Sequence, residues 1–120
     1  MRQIQIGDTV ETVVERADYP PEKIRQILGQ ETVAVLGYGV QGRGQSLNLK
    51  DNGVSVLVGQ RPGSKAWDQA VQDGWVPGKT LFSLDEAADR GTIIQYLLSD
   101  AGQKEYWPTL KRYLTPGKAL

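Results

Sequence analysis

The chain has 120 residues, and its 14 Lys plus Arg balance its 14 Asp plus Glu. At roughly 150 residues per domain this is a single domain. Zero net charge supplies no field to hold a polyanion, so nucleic acid is not an expected partner. The chain contains no Cys and no His. Disulfides, thiolate or imidazole metal sites, and Cys or His catalysis are therefore excluded within it.

The first 20 residues are polar, with Val10, Val13 and Val14 scattered among acids, and read as an extended N-terminal arm. Asp8, Glu11, Glu15 and Asp18 rule out a signal-peptide reading of this stretch. No apolar run reaches the ~20 residues of a membrane helix. Together these features predict a reducing, cytoplasmic setting with no membrane partner.

Residues 21–120 read as alternating helices and strands. Pro20 and Pro21 open a helix that runs from Glu22 to Leu28 and stops at Gly29. Thr32 to Leu36 is a short β-branched run of the kind that forms a fully buried strand. A helix follows from about Val40 to Asn52, with Val40, Gly44 and Leu47 expected on one face and Gly53 just past its end. Val54, Val56 and Val58 form a second strand, and a helix through Trp67, Ala70 and Val71 comes next. Thr80 to Phe82 is a third strand. Ser83 and Glu86 have the spacing of a capping box for a short helix ending near Gly91. Thr92 to Leu98 is a fourth strand, with Ile94, Tyr96 and Leu98 on one face. Asp100 starts a helix through about Leu114, and a fifth strand is expected to begin at Lys118. Trp67, Trp75 and Trp107 read as packing residues, and Asp85, Glu86, Asp89 and Arg90 as a solvated helix face. Strands joined by helices imply parallel pairing and right-handed crossovers. The fold class is therefore α/β, a doubly wound parallel sheet of the Rossmann type, truncated near the start of its fifth strand.

Gly37, Tyr38, Gly39, Val40, Gln41 and Gly42 spell G-x-G-x-x-G between an apolar strand and a helix. That context is what the dinucleotide fingerprint requires. Gly37 allows the tight turn, Gly39 leaves room for a pyrophosphate, and Gly42 lets the helix lie close to the sheet. Free N–H groups and the helix dipole favour the bound anion. The bland alternative is a tight turn and nothing more.

Where NAD sites carry an acid, at the end of the second strand, this chain has Gln60 and then Arg61 and Ser64. A guanidinium fork and a hydroxyl suit the 2′-phosphate of NADP, although Ser64 also has the position of a helix cap. Asp100, Ala101, Gly102 and Gln103 follow the fourth strand and should border the ribose and nicotinamide. Asp100 could equally be a plain helix cap.

The chain resembles the N-terminal domain of the ketol-acid reductoisomerases, or acetohydroxy-acid isomeroreductases. The resemblance is carried by VAVLGYGVQG (Val33 to Gly42), LNLKDNG (Leu47 to Gly53), GQRPGSKAW (Gly59 to Trp67) and LLSDAGQ (Leu97 to Gln103). It implies a Mg²⁺-dependent, NADPH-using enzyme of branched-chain amino-acid biosynthesis that isomerises and reduces 2-acetolactate or 2-aceto-2-hydroxybutyrate. It also implies that residues 38–41, Arg61, Ser64 and residues 100–103 touch the cofactor, and that the full-length enzyme is a homo-oligomer. Val40 and Ala66 stand where many members have Ser. The NADP preference should therefore be reduced, not reversed. The family's helical domain, with its metal ligands and catalytic groups, has no counterpart here, so no catalytic or metal-binding residue is expected and the chain alone should be inactive. An open sheet edge should favour self-association. Two other readings are a different NADP-dependent hydroxy-acid oxidoreductase and a non-catalytic nucleotide-binding module.

Overall fold

A computed structural model describes all 120 residues. Four parallel strands form the central sheet: β3 (Val33–Leu36), β4 (Val56–Gly59), β5 (Leu81–Phe82) and β6 (Ile93–Tyr96). Their spatial order is β5-β4-β3-β6. The chain moves outward from β3 to β4 and β5, then returns to the other side of β3 as β6. This reversal is the switch point of a doubly wound sheet, where ligands bind beyond the strand carboxyl ends.

The helices are α1 (Pro21–Leu28), α2 (Val40–Asp51), α3 (Lys65–Gln72), α4 (Leu84–Arg90) and α5 (Asp100–Leu110). All four residues of β3 are buried, because helices cover both sheet faces. On the α2 and α3 side Val33, Val35, Val58 and Leu81 pack around Trp75. On the α4 and α5 side Ala34, Leu36, Ile94 and Leu110 pack with Tyr96 and Leu98. No helix is long and apolar enough to cross a membrane.

The expected extended arm is instead a hairpin, β1 (Arg2–Ile6) paired antiparallel with β2 (Thr9–Val13). Gly7, at φ +60°, opens its two-residue turn, a position that suits glycine in hairpins whose turn must match strand twist. Val10 and Val14 are exposed. These two are not anchors, whereas Val13 is half-buried.

Other expectations need correction. The buried face of α2 is Gly42 and Ser46, whereas Val40 is 89% exposed. Close approach of a helix to a sheet selects small residues, which an apolar-stripe reading overlooks. The last helix ends at Leu110 and tightens into a 3₁₀ turn, Lys111–Tyr113, two residues beyond Pro108. Trp107 is 41% exposed and is not a core residue. The Ser83 cap accepts from the Glu86 N–H, but the Glu86 carboxylate pairs with Arg90. Asp85 is not merely solvated, because it accepts a 2.6 Å hydrogen bond from the Tyr106 hydroxyl.

The strand expected at Lys118 is present as one parallel bridge between Ala119 and Ile93. Lys118 donates to the Ala88 and Asp89 carbonyls at the end of α4, where a cation meets the negative end of the helix dipole.

Candidate dinucleotide site

Two clefts lie beyond the carboxyl ends of the strands. The first is built by the turn between β3 and α2. Gly37 holds φ +106°, and a Cβ there would lie 2.7 Å from the Leu97 carbonyl oxygen. The turn after β3 thus touches the turn after β6, which fixes the switch point. A Cβ on Gly42 would run into the Gly37 carbonyl oxygen. Both glycines are therefore required by the chain itself.

Gly39 differs. It caps α2 in an extended conformation, and a Cβ built there meets nothing within 4 Å. No side chain caps α2, whereas Ser64, Ser83 and Ser99 each cap the helix that follows. No acid occupies the first turn of α2. Uncapped N–H groups, the positive end of the dipole and open space above a glycine form a cradle for an anion. A groove of about 490 Å³ runs beside it, bordered by Gly39, Val40, Arg43 and Gln69. Val40 and Gln41 both face solvent.

Tyr38 also borders this groove, but its side chain is packed into the core and is only 3% exposed. Its hydroxyl donates to Asp73 Oδ2 at 2.6 Å and accepts from Trp75 Nε1 at 2.9 Å. Any cofactor contact by Tyr38 must therefore run mainly through its backbone. Asp73 also accepts from Arg43 Nε at 2.7 Å, from Arg43 Nη2 at 3.2 Å and from Gln69 Nε2 at 3.0 Å. The Arg43 and Tyr38 hydrogen bonds hold the Asp73 carboxyl well below the usual carboxylate range. Burial and the Asp73 hydrogen bond push the Tyr38 phenol up to about 12. This network ties the glycine turn and α2 to the end of α3. The sequence reading missed it, because 35 residues separate Tyr38 from Asp73 and no local motif links them.

The second cleft holds about 390 Å³. Gln60, Arg61, Ser64 and Ala66 form one wall, and Leu98, Ser99, Ala101, Gly102 and Glu105 the other. Residues expected to serve one ligand from two distant segments thus face each other. Ser64 Oγ donates to the Arg61 carbonyl and accepts from the Trp67 N–H, so the helix-capping role is realised.

Asp100 and Gln103 do not line this cleft. The helix cap is Ser99, not Asp100, which is exposed in the first turn of α5. Gln103 folds back, its Nε2 donating to the Tyr96 and Leu98 carbonyls. It secures the turn after β6.

A third hollow, about 430 Å³, lies between α1, α2 and β6 and includes Gln95, whose buried Oε1 has no partner. It is lined by Ile24, Leu28, Leu49 and Val54, and the glycine turn takes no part in it.

Residues 27–120 match the family described as acetohydroxy acid isomeroreductase, NADPH-binding domain. The chain belongs to that family. It is 52% identical over 120 residues to the mitochondrial ketol-acid reductoisomerase of Saccharomyces cerevisiae, covering 100% of this chain and 30% of that protein. It is also 52% identical over 120 residues to a protein of Desulfosudis oleivorans named ketol-acid reductoisomerase (NAD(+)), covering 100% of this chain and 34% of that one. A solved NADH-preferring ketol-acid reductoisomerase from an uncultured archean superposes with TM-score 0.66 at 37% identity, covering 77% of this chain and 28% of the other. The chain thus spans about a third of the length of these curated reductoisomerases. In this chain the glycine turn meets the segment after β6 at Leu97, and the Arg61 loop faces the same segment across the second cleft.

Proposed function

We propose that this chain is the coenzyme-binding part of a ketol-acid reductoisomerase and that it takes NADPH across the two clefts. The observation that carries the reading is the open start of α2 above Gly39. In this reading the pyrophosphate rests on the first N–H groups of α2. The adenosine end occupies the cleft beside Arg61, and the guanidinium meets the 2′-phosphate as a charge-assisted fork. Residues Ala101 and Gly102 close the far wall. Asp100 and Gln103 act on the nicotinamide side through the turn they build, not through the cleft.

Bound NADPH would supply hydride to the keto acid formed when 2-acetolactate or 2-aceto-2-hydroxybutyrate isomerises. The chain's own contribution is to orient the coenzyme and neutralise its phosphates. The family resemblance also implies Mg²⁺. These residues do not fit a metal site, since they bring together no group of three or more Asp or Glu. The metal ligands and the substrate pocket are assigned to other parts of the enzyme. The Saccharomyces relative is named as mitochondrial, so membership alone does not place this chain in the cytoplasm.

The test is a titration of NADPH and NADH followed by tryptophan fluorescence, with Arg61→Ala alongside. Loss of a charged hydrogen bond costs about 1.5–3 kcal/mol, so NADPH affinity should fall about tenfold or more. NADH affinity should stay within about twofold, because it lacks the 2′-phosphate that the guanidinium meets. Tighter binding of NADH than NADPH by the unaltered chain, or no binding of either, overturns the reading.

A further inference from the structure

We infer that Glu105 is a specificity-determining residue that competes with the coenzyme's 2′-phosphate for Arg61 and so holds down the preference for NADPH. The inference rests on the coenzyme reading above. Glu105 lies one helical turn beyond Ala101 on α5, so both side chains reach the same cleft. Its carboxylate stands 3.7 Å from Arg61 Nη2 on the opposite wall.

Two further donors of the Arg61 loop are already engaged. Ser64 Oγ donates to the Arg61 carbonyl at 2.8 Å, and the Arg61 N–H donates to Gln60 Oε1 at 2.9 Å. Ala66 offers no hydroxyl. Lys65 does not line this cleft, so the guanidinium is its cationic ligand for a phosphate, and it already leans on a carboxylate. A 2′-phosphate entering the cleft must displace that carboxylate and then sit near its negative charge. A 2′-hydroxyl meets no such repulsion, and a carboxylate is the group that NAD sites commonly place near the ribose.

Both partners are well exposed, with side-chain exposures of 62% for Arg61 and 74% for Glu105. The effect is accordingly modest and sensitive to salt. The test is a fluorescence titration of NADPH and NADH on Glu105→Gln, Arg61→Ala and a distant control, Glu22→Gln on α1. Glu105→Gln should bind NADPH about two- to fivefold more tightly at moderate salt, with a larger gain at low salt. Its NADH affinity should stay within about twofold, and the control should change neither.

Unchanged or weaker NADPH binding by Glu105→Gln, an equal gain for both coenzymes, or the same gain in the control would overturn the inference. The underlying reading fails separately, if Arg61→Ala leaves NADPH affinity unaltered. Weakened NADPH binding by Arg61→Ala together with an inert Glu105→Gln would leave the coenzyme reading standing and remove only the role of Glu105.

Discussion

The turns that open α2 and α5 leave adjacent parallel strands, β3 and β6, and they touch each other at Gly37 and Leu97. They are finished in opposite ways. The α5 turn satisfies itself: Ser99 Oγ accepts from the Gly102 N–H at 3.1 Å, and Gln103 clamps two carbonyls of its own strand end. The α2 turn has no side-chain cap, and its tether comes from Asp73 on another helix. A turn that needs nothing serves as a wall. A turn left with unspent donors is free to seat an anion. The contrast separates what the fold requires from what a ligand requires, and it can be broken at single residues.

The sharpest break is between two glycines three positions apart. Gly42→Ala puts a methyl against the Gly37 carbonyl, a backbone clash that should cost on the order of 3 kcal/mol. Calorimetry should show melting lowered by about 10 °C or more. Gly39→Ala enters open space and keeps φ near −80°, so its melting temperature should stay close to that of the unaltered chain. Its coenzyme affinity should nevertheless fall about tenfold or more, since the methyl occupies the pyrophosphate's approach. Equal behaviour of the two variants in calorimetry and titration would erase the distinction.

The next effect is one of acid. The native Asp73 carboxyl is depressed below its ordinary value of about 4. Its contribution to stability is therefore complete above that value and is lost as pH falls toward the depressed native one. Denaturant melts should show Asp73→Asn less stable than the unaltered chain at neutral pH, with the gap closing below about pH 4. A gap that persists undiminished in acid would mean that the carboxylate's charge is not what tethers α2.

The smallest effect falls on the self-sufficient turn. Ser99→Ala removes one cap and should cost about 1 kcal/mol in the same melts. NADPH affinity should fall far less than in Gly39→Ala, because Ser99 lines the second cleft but its hydroxyl is spent on its own helix. A loss of affinity as large as that of Gly39→Ala would show that both turns seat the ligand.

These outcomes bear on what a reader of the sequence can see. Val33 to Leu36, the three glycines and the start of α4 were legible because each signal is local: a β-branched run, fixed glycine spacing, the Ser83 cap. The positions of β4, β5 and β6 followed from alternation. Asp73 was not legible, since its value lies in reaching Tyr38 and Arg43 from the far end of α3. Glu105 was hidden for the same reason, facing Arg61 only once the loop after β4 and the first turns of α5 border one cleft. The hairpin was different. Gln3-Ile4-Gln5-Ile6 alternates and Gly7-Asp8 turns, but the high polarity of the stretch masked both signals.

That hairpin has a consequence for the molecule as a whole. It leans on the rest of the chain chiefly through its termini, where the Met1 ammonium meets Asp18 and Arg2 meets Glu15. A two-stranded ribbon with so little apolar cover, only Ile4 and Val13 being half-buried, holds itself only marginally in water. In deuterated solvent its amides should exchange within moments, while those of β3, sealed on both sides, keep their hydrogen until the domain opens as a unit.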